Sequence, residues 1–196
     1  MSLFFFSDVN MTVLASQKTT NVSWVKKVAQ DVLQQEAQAL TQVSSSLDGT
    51  FQNLAACLSQ ISGKVVVSGV GKSGMVAKKI ASTLASTGTS SFFIHPTEAG
   101  HGDLGMISAQ DAVMLLSNSG ETEELNALIA YTKYLGIPLI GLTGNPQSFL
   151  AREADHLLTF PSVSEACPMG LAPTTSTTVM MALGDALAIT LLHLRG

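Results

Sequence analysis

Hydrophobic and polar positions along this chain follow a helical period first and a strand–helix alternation afterwards. Over residues 21–46 the apolar residues Val25, Val28, Ala29, Val32, Ala37, Leu40 and Val43 recur at helical spacing among glutamines and lysines, which predicts a long amphipathic helix. Ser45-Ser46 and Asp48-Gly49 interrupt it, and a second helix is expected over 51–61, closed by Ser62-Gly63. From Lys64 the period changes. Strands are predicted at 64–68, 91–94, 112–117, 138–143 and 156–160, and helices at 73–86, 121–135 and 147–153, with a last helix over about 174–194. The β-branched run Val65-Val66-Val67 suits a strand buried on both faces. Strands alternating with helices through short turns imply an α/β fold, a doubly wound parallel sheet with ligands outside the carboxyl ends of its strands. Residues 1–20 show no clear period and read as a loose arm, leaving one domain over 21–196. Two long loops, 95–110 and 161–173, each follow a strand, where functional residues concentrate.

Two strand-to-helix turns carry the chemistry. KVVVSGVGKSG (64–74) and LLSNSGETEE (115–124) each end a strand abruptly in glycine and hydroxyl residues. Free N–H groups and the positive end of a helix dipole make such turns anion sites, and two of them suggest one phosphorylated small molecule. A P-loop would need glycine five residues before Gly71, where Val66 stands, so the ATPase reading fails. Gly69-x-Gly71-x-x-Gly74 fits the dinucleotide fingerprint, but the second strand ends in His95-Pro96 with no acid closing it, which argues against NAD.

The composition narrows the partners. The 196 residues suffice for one well-cored domain; 46% are hydrophobic and only 12% charged, so neighbouring subunits are expected to cover much of the surface. Net charge is −4 and no basic cluster exceeds Lys26-Lys27 or Lys78-Lys79, which excludes nucleic acid as an expected partner. Cys57 and Cys167 show no metal or redox spacing and read as reduced thiols of a cytoplasmic protein. The N-terminal apolar run lacks a basic flank and is broken by Asp8 and Asn10, unlike a signal peptide. The apolar stretch 177–194 contains Gly184, Asp185 and His193 and reads as a buried or subunit-facing helix rather than a membrane span.

Four strings, GVGKSG, STGTSSFFIHPTEAGHGDLG, SNSGETEE and SEACPMGLAPTTSTT, resemble the sugar isomerase (SIS) domain of the D-arabinose-5-phosphate isomerases over roughly residues 25–196. The HP…E..HGDLG and EACP.GLAPT.ST strings are more specific than either glycine loop. The resemblance implies a three-layer α-β-α sandwich around a five-stranded parallel sheet, assembled as a homotetramer. It implies interconversion of D-ribulose 5-phosphate and D-arabinose 5-phosphate, supplying 3-deoxy-D-manno-octulosonate for lipopolysaccharide or capsule. Family chains commonly continue into a histidine-containing segment and a pair of CBS domains, whereas this sequence runs to Arg195-Gly196, so a SIS-only form is expected. Two alternatives stay open: an isomerase of sedoheptulose 7-phosphate, against which the HGDLG and EACP strings speak, and a non-catalytic sugar-phosphate sensor.

Isomerisation through an enediol needs a gripped phosphate, an opened ring, a moved proton and a stabilised oxyanion. Ser117, Ser119, Gly120 and Thr122, backed by Ser73, are expected to hold the phosphate; the plainer reading is that their hydroxyls cap helices. Lys72 stands at a helix start, where the dipole disfavours a cation, a conflict that points to an anionic ligand. Glu165 is a candidate general base, because a carboxylate in an apolar surround can be raised toward neutrality. The resemblance implicates Lys72, Glu124 and Glu165 in catalysis and makes substrate contacts of His95, His101, Gly88 and Thr89, with His101 as a ring-opening acid/base. It implies no required cofactor, with His95 able to meet a zinc ion. Between Glu124, Glu165 and His101 the proton acceptor stays open.

Overall fold

The computed structural model describes residues 22–196; the arm expected over 1–20 lies outside the described residues. Helices α1 (Ser23–Ser46) and α2 (Gly49–Gln60) precede strand β1 (Val65–Gly69), α3 (Gly71–Ser86) and β2 (Ser91–Ile94). The short α4 (Pro96–Gly100) and a 3-10 turn (Asp103–Met106) lead to β3 (Ala112–Leu116). A second 3-10 turn (Glu123–Leu125) runs into α5 (Asn126–Leu135), followed by β4 (Leu139–Thr143), α6 (Phe149–Glu153), β5 (His156–Thr159) and α7 (Thr175–Arg195).

The five strands are all parallel in the order β2-β1-β3-β4-β5. Side chains alternate across the strands, so Val65, Val67, Met114 and Leu116 face one layer while Val66, Val113 and Leu115 face the other. The first layer is α1, α2, α3 and α7; the second is α4, α5 and α6. This is the expected three-layer sandwich. The order of strands along the sheet reverses between β1 and β3, and ligands in such sheets bind at that switch point, outside the carboxyl ends.

Helix α7 places its own ends through its packing on α3. Lys79 is ion-paired with Asp185, and Gly184 lets Ile80 approach the backbone of α7. Arg195 at its far end reaches Gly88, just past the end of α3. The two helices therefore run side by side in the same direction, and the first turn of α7 emerges at the same edge of the sheet as the first turn of α3. Asp185, read from the sequence as part of a buried or subunit-facing helix, is a half-exposed partner of Lys79. Helix α7 is long and apolar enough to cross a membrane by length and composition, yet Val179, Met180, Leu183, Leu187 and Leu191 sit in the core.

Local geometry departs from the sequence reading in three places. Helix α3 starts at Gly71, not at 73, because Gly71 takes a positive φ of 58° that turns the chain into the helix at once. The loop after β2 is not irregular throughout, since α4 and a 3-10 turn occupy most of it. The helix expected from 121 begins only at Asn126. Residues 120 and 121 are held instead by α6: Leu150 N donates to Gly120 O at 3.0 Å and Phe149 N donates to Glu121 Oε1 at 2.9 Å. Those bonds keep the segment out of helical register.

In α1 the burial is confined to the second half. Ala39 and Val43 enter the core, while Trp24 and Leu33 are 62% and 67% exposed and Val25 and Val28 about half exposed.

Candidate active site

Backbone register brings the two glycine- and hydroxyl-rich turns together. Gly69 at the end of β1 pairs with Leu116 at the end of β3, so the chain leaves the sheet side by side into Lys72 and Ser117. A Cβ on Gly74 would sit 2.6 Å from Gly69 O, so only glycine lets the first turn of α3 close onto the strand end. Lys72 is exposed and Ser73 half-buried in that turn, with the positive end of the helix dipole behind them.

The turn after β3 is knitted by its own hydroxyls. Ser117 is buried; its Oγ accepts from Gly120 N at 2.9 Å and shares a hydrogen bond with Thr122 Oγ1 at 2.7 Å. Ser119 Oγ accepts from Glu121 N at 3.2 Å and lies 3.4 Å from Ser117 Oγ. Gly120 has φ +69°, and a side chain there would collide with Ser148. The capping and the ligand readings thus meet in one object: the hydroxyls shape the turn, and because the Ser117–Thr122 bond uses only one of that pair's two protons, the other stays available to donate to an anion. Glu124 follows on the 3-10 turn, exposed beside this loop.

The histidines reach the same edge from β2, the neighbour of β1. Ser68 pairs with Ile94, so His95 leaves the sheet next to the β1 turn. His95 caps the start of α4, its Nδ1 accepting from Thr97 N at 3.3 Å, and its ring packs edge-on to Phe93. His101 stands at the other end of α4, and both rings are exposed while Pro96 and Ala99 anchor the helix. Among the described residues no three His, Cys, Asp or Glu side chains converge, and His95 Nδ1 accepts from Thr97 N, so within one chain Nε2 is the His95 nitrogen that could meet a zinc ion.

Glu165 departs furthest from expectation. Its Oε2 accepts from Thr174 N at 2.7 Å, Thr174 Oγ1 at 3.1 Å and Ser176 N at 3.3 Å, and its Oε1 accepts from Ser176 Oγ. Burial pushes the carboxyl up, but the hydrogen bonds from Ser176 and Thr174 outweigh it and hold Glu165 below its ordinary value. The expected rise toward neutrality is therefore overturned: the surround is the amide-rich first turn of α7, not an apolar pocket. Ala166 N donating to Thr174 Oγ1 at 2.9 Å and Gln35 Nε2 donating to Ser164 O at 2.5 Å tie the same loop to α7 and α1. A cleft of about 490 Å³ between α1 and residues 162–164 adjoins it. Thr174 and Ser176 are the functional neighbours that the sequence reading missed. Their only local signal is the hydroxyl-rich PTTSTT, which reads equally well as a helix start.

Gly88 and Thr89 are not brought to this edge. Val65 N donates to Ser90 O, which puts them at the amino ends of the strands, and Thr89 is 1% exposed. Arg195 Nη1 donates to Gly88 O at 2.9 Å and to Thr89 Oγ1 at 2.7 Å, closing that end of the molecule.

One edge of a flavodoxin-like sheet thus carries a hydroxyl-lined turn, a lysine, two histidines and two carboxylates, an arrangement suited to a sugar phosphate. Residues 58–190 match the SIS domain family, and the chain belongs to it. It is 49% identical over 171 residues to the arabinose 5-phosphate isomerase KdsD of Salmonella typhi, covering 87% of this chain and 52% of that protein. The KdsD of Pseudomonas aeruginosa is 52% identical over 168 residues, covering 86% of this chain and again 52% of the relative. The chain therefore spans about half the length of these curated relatives. The solved structure of E. coli CFT073 c3406 in complex with arabinose 5-phosphate superposes with a TM-score of 0.85 at 44% identity, covering 90% of this chain and 94% of that one.

Proposed function

We propose that this chain is an aldose–ketose isomerase interconverting D-ribulose 5-phosphate and D-arabinose 5-phosphate through an enediol. The observation that carries the reading is the single edge holding Lys72, the Ser117–Thr122 turn, His101, Glu124 and Glu165, in a chain similar along nearly its whole length to a protein solved with arabinose 5-phosphate. The phosphate sits in the Ser117, Ser119, Gly120 and Thr122 turn with Ser73 beside it. The Lys72 ammonium faces the negative charge that develops on the substrate oxygen. In the arabinose 5-phosphate direction the exposed His101 opens the sugar ring, the ring oxygen gaining a proton as the anomeric hydroxyl loses one, and a carboxylate moves the proton between the two carbons. No step needs a metal.

The product feeds 3-deoxy-D-manno-octulosonate synthesis in the cytoplasm, a setting that the two free thiols Cys57 and Cys167 support. The protein works as a homotetramer without nucleic-acid or membrane partners. Support comes from the uncovered apolar residues of α1 and from Met181, Ile189, Leu192 and Leu194 on the outer face of α7. Gly88 and Thr89, at the opposite edge of the sheet, take no part in this site. Val28→Glu is expected to yield a smaller species in analytical ultracentrifugation; an unchanged mass would sink the assembly through α1.

The activity is tested by incubating the purified chain with ribulose 5-phosphate in deuterium oxide and following the sugar phosphates by NMR. Arabinose 5-phosphate deuterated at C2 is the expected product. Line broadening of the ligand without any isomer would replace the isomerase by a sugar-phosphate sensor.

A further inference from the structure

We infer that Ser176, together with the Thr174 amide and hydroxyl, is a positioning group that fixes the Glu165 carboxylate so that Oε1 is the atom that takes and returns the proton. This rests on the isomerase reading above and assigns its proton acceptor. The two carboxylate oxygens are not equivalent. Oε2 receives three donors, Thr174 N, Thr174 Oγ1 and Ser176 N, which leave it little room for another hydrogen. Oε1 receives Ser176 Oγ alone, and a carboxylate oxygen has about two lone-pair directions, so one stays open. Ser176 is 1% exposed, so its hydroxyl has no water to turn to and stays on Glu165.

The surroundings hold that geometry from both sides. Ala166 N binds Thr174 Oγ1, and Gln35 of α1 binds Ser164 O, so residues 164–166 are pinned between two helices. Because α7 runs alongside α3, this carboxylate emerges at the edge that carries Lys72. Of the other titratable groups, Asp31 of α1 borders the adjoining cleft and Cys167 lies two residues further along the loop. Neither contributes to the balance at Glu165, which is made by burial and by Ser176 and Thr174.

In the reaction Oε1 takes the proton from the carbon beside the carbonyl, and the C–H electron pair becomes the enediol double bond. The carbonyl oxygen takes up the negative charge opposite Lys72. Glu165 Oε1 then returns that proton to the former carbonyl carbon, while the hydroxyl proton of the adjacent carbon passes by way of solvent to the former carbonyl oxygen, so the carbonyl reforms one carbon along and the carboxylate ends as it began. A base held ionised by fixed donors is ready at every pH above its own titration, and its direction is preset.

The test is the pH dependence of kcat and KM on ribulose 5-phosphate for the wild type and for Ser176→Ala, Ser176→Cys, Ser176→Thr and Thr175→Val. Losing a hydrogen bond that favours the charged form raises the carboxyl, so in Ser176→Ala the acidic limb of kcat moves to higher pH. Its kcat falls roughly ten- to a hundredfold with KM little changed, the scale of a slightly misplaced group. Ser176→Cys, a near-isosteric weak donor, shifts the limb the same way, and guards against a folding defect in the alanine variant. Ser176→Thr restores both readings. Thr175→Val, in the same turn but with a buried hydroxyl bonded to nothing among the described residues, behaves as wild type. An acidic limb unmoved in both Ser176→Ala and Ser176→Cys, or a loss confined to KM, overturns the proposal. Absence of isomerisation by the wild type overturns the isomerase reading and this proposal together.

Discussion

The Ser176 hydroxyl donates to Oε1 of Glu165, joining the first turn of α7 to a carboxylate eleven residues upstream. That contact makes a loop carboxylate part of a helix terminus, and it lowers the titration of Glu165 where burial alone would raise it.

One consequence is a pH dependence of stability. Glu165 and Asp111 are both held below their ordinary values of 4.5 and 3.8; in each, burial pushes up and hydrogen bonds more than offset it. Groups with depressed folded-state values contribute stability that is complete above the unfolded value and is lost as pH falls through the folded one. Urea midpoints are therefore expected to hold from about pH 7 to about pH 5 and to drop below that. Asp111→Ala, which strands Lys64 N and Ser108 N, should lower stability by roughly 3 kcal/mol and flatten the acid dependence. A variant as acid-sensitive as the wild type would assign the effect to other carboxylates.

Ser117→Ala removes the acceptor of Gly120 N and the partner of Thr122 Oγ1. Affinity for arabinose 5-phosphate, measured by calorimetry, is expected to weaken by about tenfold or more, the scale of one hydrogen bond to a charged group. Equal affinity would make the hydroxyl a helix-approach cap and nothing else.

Gly74→Ala forces a methyl group against the carbonyl of Gly69, a backbone atom that cannot step aside without moving β1. Thermal and urea unfolding should show a loss of about 2 kcal/mol. Because Lys72 and Ser73 precede it in the same turn, isomerase activity should fall beyond what that loss explains.

The two thiols should differ in reactivity. The backbone N–H of Ala172, with those of Met169 and Leu171, lowers Cys167, whereas burial, and then the charge of Asp155, raises Cys57. Limited iodoacetamide followed by peptide mass spectrometry should label Cys167 first, since the thiolate is the nucleophile. Faster labelling of Cys57 would mean that access, not ionisation, governs the two sites.

Much of this molecule is legible in its sequence. The strands and the flanking helices follow from short apolar runs alternating with helical periods, and most clearly in β1, β3 and β4, because a strand buried on both faces tolerates little else between turns. The glycine and hydroxyl turns at 69–74 and 117–122 announce themselves for the same reason: few residues fit a tight strand-to-helix turn that must also leave donors free. What local pattern could not carry is register and direction across the fold. Only the pairing of Gly69 with Leu116 sets Lys72 beside Ser117, and only the parallel packing of α7 on α3 brings the Glu165 loop, folded back onto Thr174 and Ser176, to the edge that carries Lys72. The same packing sends Thr89 to the opposite edge, bound to Arg195, although it lies closer to Lys72 in the chain than Ser117 does. Residue type and spacing determine which turns can hold an anion; which side chains share that site, and in which protonation state, is decided by long-range contacts that leave no period in the sequence.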